Sequence, residues 1–158
     1  MLKELGKYKL IFLSLLKNSD TICKLVLGED YEDGDYDLDK ELEKYLIPHL
    51  FVPDTIKETQ SYALFDVGMY RGGSSIKTMR LIVQTFCHKK IISYPEKPKG
   101  YYGYRYDVLA QCVEELLYED KDNGRKFGIG IPELVSVNGF LINDYVGHVL
   151  TFDIKAFR

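Results

Sequence analysis

The densest array of potential ligands in the chain is acidic. Asp33, Asp35, Asp37 and Asp39 recur at alternate positions in GEDYEDGDYDLD, the kind of oxygen-rich run from which cation loops are built. An EF-hand loop also needs glycine at its sixth position and glutamate at its twelfth. Counted from Asp33, those positions hold Leu38 and Lys44, and no other register does better. The run therefore reads as a solvated acidic surface, with Asp33, Asp35 and Asp37 available to a basic partner.

The remaining reactive side chains do not assemble into a reaction. His49, His88 and His148 lie in separate segments. Cys87 and His88 are neighbours on an expected strand, where successive side chains leave opposite faces, so they cannot share a metal. His148 falls in the apolar half of its strand, as a hydrogen-bonded core or interface histidine does. Cys23, Cys87 and Cys112 each sit in an apolar run and read as buried free thiols. The serines lack the G-x-S-x-G nucleophile elbow, and GIGIP fits neither phosphate-binding glycine pattern. Glu114 and Glu115 cannot share a helical face. No catalytic, cofactor or metal residues are assigned, and the chain is not expected to be an enzyme.

Tyrosine carries more information. The chain has 13 tyrosines and no tryptophan, and Tyr94, Tyr101, Tyr102, Tyr104 and Tyr106 crowd into one short stretch. Tyrosine gives large contact area at low entropic cost, so these residues are either an inter-subunit contact or a lid on the chain's own sheet. Stacking on single-stranded nucleic acid would need an electropositive groove, and only Lys97, Lys99 and Arg105 are near. The formal net charge of −3 also argues against phosphate neutralisation.

These residues must be positioned by one domain. A chain of 158 residues buries about 70% of its unfolded surface. Leu5, Tyr8, Phe12, Leu15 and Leu16 mark one face of a helix over 5–17. Asn18, Ser19 and Asp20 offer caps for a second helix that Gly28 stops. A third helix is expected from Asp37 or Asp39 to just before Pro48, followed by an extended connector. Period-two alternation predicts strands over 60–70, 76–88, 134–141 and 146–157. RGGSS forms a hairpin loop between the first two, and Ile142–Tyr145 joins the last two. Residues 104–118 form a long helix with Val108, Leu109, Cys112, Val113, Leu116 and Leu117 on one face, ended near Asp122–Gly124. The expectation is an α+β fold, a mostly antiparallel sheet of about four strands packed by that helix. Residues 1–47 form a helical N-terminal part with the acidic loop at 29–39, and residues 60–158 form the core. The first apolar run lacks a cleavage site and is too short for a membrane span.

Several phrases resemble small bacteriophage neck proteins: FVPDTIKETQSYALFDV, a strand ending TFCHKK, the helix opening YRYDVLAQCVEELL, then FGIG and a terminal VLTFDIKAF. The resemblance spans residues 45–157 and is one of pattern and phrasing. Tail terminators and head–tail joining proteins of this type are similar in being small α+β ring subunits, commonly hexameric. The resemblance implies that the chain caps the tail tube and connects it to the head. Its partners would be its own copies, the tail tube protein and a head connector or adaptor. DNA would pass through the lumen without specific recognition, with no membrane contact. The chain would be found in the virion after assembly in the host cytoplasm. Ring subunits need loops that reach neighbours above and below. Residues 29–39, 72–75, 93–104 and 121–130 are the candidate loops, with Arg71 and Lys126 as further contact candidates. The alternatives are a head-completion adaptor on the portal, or a small cytosolic enzyme or regulator with a ligand pocket under the tyrosine-rich loop.

Overall fold

The computed structural model describes residues 2–71, 76–118 and 132–157. A five-stranded sheet, ordered β1-β2-β3-β5-β4, carries a layer of helices on one face. Its strands are β1 (Leu46–Ile47), β2 (Ser61–Arg71), β3 (Ile76–His88), β4 (Glu133–Ile142) and β5 (Tyr145–Phe157). The helices are α1 (Leu2–Lys17), α2 (Asp20–Leu27), α3 (Leu38–Leu42) and α4 (Arg105–Tyr118). All pairings are antiparallel except β1 with β2. The α+β architecture expected from the alternation is therefore the one observed.

β3 sits at the centre, paired with β2 from Ser61↔Cys87 to Arg71↔Lys77 and with β5 from Ile76↔Phe157 to His88↔Tyr145. Its register places Phe65, Val83 and Leu150 in one row, and Val67, Leu81 and Phe152 in the next. All six are buried, and they form the floor on which α1 and α4 pack. Phe12 of α1 meets Phe65 edge to face at 4.8 Å, and α4 contributes Val108, Leu109, Cys112, Val113 and Leu117. α1, α2 and α4 form where expected. Ser19 accepts from the Ile22 N–H to open α2, and Gly28, at φ +104°, closes it.

The third helix is shorter than the sequence suggests. It covers only Leu38–Leu42, and Asp37 occupies its N-cap position without a side-chain capping bond. Leu46 and Ile47 instead enter the sheet as β1, parallel to Ala63 and Leu64. Tertiary pairing overrides helix propensity here. The Ala63 N–H donates to the Tyr45 carbonyl at 2.9 Å, Leu46 becomes fully buried, and Tyr45 packs on Tyr62. This adds the fifth strand.

The connector at 48–60 lies across the second face of the sheet. Its Phe51 meets Phe86, Phe140 and Tyr145 with ring centroids 5.4–6.2 Å apart, and its backbone N–H donates to Gln84 Oε1 at 2.8 Å. Phe86 stacks on Phe140 at 4.5 Å and 12°. Gly147 lies opposite both residues in the ladder, and a Cβ there would stand 2.1 Å from the Thr85 carbonyl. The hairpin from β4 to β5 turns at Asn143, φ +54°. No helix among the described residues is long and apolar enough to cross a membrane.

Candidate functional site

The tyrosine-rich loop divides into two parts. Tyr94 is 5% exposed, with the Arg105 guanidinium over its ring at 4.6 Å. Tyr101 is half-buried and its hydroxyl donates to Glu115, a bond that raises its phenol pKa together with burial. These two are a lid on the chain's own core. Tyr102 is 76% exposed and Tyr104 54%, which leaves them free for another molecule. The loop is held firmly all the same. Tyr102 and Gln111 exchange two hydrogen bonds, the Tyr102 N–H to Gln111 Oε1 at 3.2 Å and Gln111 Nε2 to the Tyr102 carbonyl at 2.7 Å. The Arg105 N–H donates to the Ile92 carbonyl at 2.8 Å.

The acidic loop does not converge on a cation. Asp33, Asp35 and Asp37 are all exposed, and no group of three His, Cys, Asp or Glu residues that could hold a metal occurs among the described residues. The loop is tethered through Tyr31, buried, whose hydroxyl donates to Asp20 at 2.7 Å. Lys126 and the side chain of Arg71 lie outside the described residues. Other reactive side chains are buried in the fold. Burial pushes the thiols of Cys23 and Cys87 up to about 11 and that of Cys112 up to about 12, so none is a thiolate nucleophile near neutrality. His88 is buried against Tyr145, and its Nδ1 accepts from the Lys90 N–H at 3.1 Å.

Exposed apolar side chains gather on the β4 side of the molecule. β4 is an outer strand among the described residues, a position that turns backbone groups outward, and its Leu134 N–H donates to the Tyr118 hydroxyl. It exposes Val135, Val137 and Leu141, the last at 80%. A bulge between Leu134 and Ser136 turns Leu134 and Val137 toward the helices. There they line a shallow trough against Ala110, Gln111 and Glu114 of α4, with His148 and Asp107 at one end. Tyr102 adjoins it through Gln111. The volume, about 190 Å³, is below the ~300–1,000 Å³ of small-molecule sites. It suits one or two protruding side chains.

The opposite edge of the sheet is guarded. The outward N–H of Val67 is capped by Asp66 Oδ1 at 2.8 Å, and Lys9 of α1 reaches the same oxygen at 3.0 Å. Charges and a short edge strand blunt that side against strand addition. The alternating valines of β4 were visible in the sequence, but nothing local distinguished an outer strand from an inner one. The pairing of Asp107 with His148, 41 positions apart, had no sequence signal at all.

A family model described as YomW matches residues 19–154, from the N-cap of α2 into β5. The chain belongs to the YomW family, a phage-derived family. No curated protein matches it.

Proposed function

We propose that this YomW-family chain is a structural subunit of the phage neck, a ring-forming tail terminator or head–tail joining protein. In that role it caps the tail tube and presents a surface to the head connector. The observation that carries the reading is the asymmetry of the sheet among the described residues: β4 exposes Val135, Val137 and Leu141 beside a shallow trough, with its Leu134 N–H taken by the Tyr118 hydroxyl, while the β2 edge carries the charges of Asp66 and Lys9. Exposed apolar side chains on an outer strand are the usual mark of an assembly surface. The phage-derived family supports the same setting. The exposed carboxylates of Asp33, Asp35 and Asp37 suit a basic surface on the tail tube protein or the head connector.

The rival reading, a ligand pocket beneath the tyrosine-rich loop, is weakened by Tyr94 and Tyr101, which occupy that space themselves. Light scattering and negative-stain microscopy of the purified protein test the proposal. Closed rings of uniform size, commonly six subunits, are the expected result. A chain that stays monomeric at high concentration, with joined tails of normal length in phage lacking it, would overturn the proposal.

A further inference from the structure

Among the described residues, the helix layer does not cover the whole sheet. α1 packs on β2, and α4 packs on β3 and β5. Beyond α4, over β4, the layer gives way to the trough lined by Ala110, Gln111, Glu114, Leu134 and Val137. At the other flank, α1 exposes the apolar side chains that a helix layer would normally bury: Leu2 is 82% and Leu10 70% exposed. Leu10 and Lys7 border a groove along that helix with Ile11 and Ser14. Among the described residues, one copy thus has a gap at one end of its helix layer and an exposed apolar helix face at the other.

The charges of the two ends are opposite. α1 carries Lys3, Lys7, Lys9 and Lys17 against a single Glu4; Lys9 and Lys17 pair with Asp66 and Glu43 of the same chain, which leaves Lys3 and Lys7 as the basic residues of the exposed face. α4 carries Asp107, Glu114 and Glu115 against Arg105, and β4 adds Glu133. Pairing β4 with a second β4 around a two-fold axis would bring like charges together, which costs affinity. Pairing the basic helix with the acidic trough does the reverse.

We infer that the trough between α4 and β4 receives the exposed face of α1 from a second copy of this chain. Leu10 enters beside Leu134 and Val137, and Lys7 faces Glu114. The contact uses different surfaces on its two sides, as a closed ring of more than two subunits requires. It continues the helix layer from one subunit to the next. The inference rests on the ring reading above and specifies how that ring is joined.

Disulfide trapping tests the contact. A variant carrying both L10C and V137C, exposed to mild oxidant, is expected to give a ladder of covalent oligomers on a non-reducing gel. The two single variants mixed together are expected to stop at a dimer of unlike chains. The native cysteines are buried and do not interfere. A second arm uses charge: E114K should weaken assembly by about tenfold, and adding K7E should recover it. Rings that form without any L10C/V137C ladder would overturn this contact and leave the ring reading standing. V137C alone giving a dimer of like chains would overturn it in favour of two-fold pairing. A wild-type chain that is monomeric at every concentration would overturn both.

Discussion

Asp107 and His148 meet at 2.6 Å, Oδ1 to Nε2, and join the first turn of α4 to strand β5. The second oxygen of Asp107 accepts from the Tyr104 N–H at 2.8 Å, satisfying one of the donors a helix start leaves open. One carboxylate therefore anchors the helix, the exposed end of the tyrosine loop and the sheet. Gly103, at φ +95°, allows this: a Cβ there would stand 2.6 Å from the carboxylate.

Removing that anchor should loosen α4 without unfolding the chain. D107A is expected to cost about 1–2 kcal/mol, the usual loss for a helix-start acceptor plus a side-chain hydrogen bond. At this size that lowers Tm by about 2–4 °C per kcal/mol. D107N, which keeps an acceptor for the Tyr104 N–H, should lose less. Thermal denaturation followed by circular dichroism would distinguish the two, and equal losses would contradict the capping role.

Gly147 should tolerate no side chain. G147A forces a methyl group against the Thr85 carbonyl and the Phe86 backbone, beneath the stacked rings of Phe86 and Phe140. Overpacking of this kind costs roughly 1–3 kcal/mol. Urea denaturation should show a lower midpoint, whereas G139A, with nothing within 4 Å of its Cβ, should shift it much less.

The two halves of the tyrosine loop should respond differently. Y94A removes a buried ring and should cost about 3–5 kcal/mol of stability. Y102S and Y104S alter exposed rings, so stability should change by only about 0.5 kcal/mol, while assembly measured by light scattering falls by about tenfold. If Y102S and Y104S assemble normally, these tyrosines are not part of the contact.

Alkaline pH should destabilise the fold. Burial holds the protons of Cys23 and Cys87 up to about 11, and those of Cys112 and Tyr62 up to about 12. The unfolded chain releases the thiol protons near their ordinary 9.0, so it binds fewer protons than the native state above that pH. Stability from these groups is fully present below about pH 9 and is lost as pH rises through the folded values. A Tm lower at about pH 10.5 than at about pH 8, with native thiols inert to a chromogenic thiol reagent at the lower pH, is the expected result. An unchanged Tm would contradict it.

Much of this fold was legible in the chain. The alternation of Met79, Leu81 and Val83 against Arg80 and Ile82 specified β3, and Ser19 and Gly28 specified the ends of α2. The third helix was misjudged because its pattern, DLDKELEKYLI, suits a helix locally, while pairing of Leu46 with Ala63 is decided 17 positions away. The proposed assembly surface was harder still. Sequence singled out the tyrosine loop, but exposure separated Tyr102 and Tyr104 from Tyr94 and Tyr101, and exposure depends on which way the folded loop lies. That β4 is an outer strand follows from strand order, a property no local pattern encodes.

The most direct test of the central claim is electron microscopy of lysates from phage in which this chain is deleted. Heads and tails that accumulate separately, with tails of irregular length and restored joining when the chain is supplied, are expected of a neck subunit. Intact virions with joined tails of normal length would contradict it.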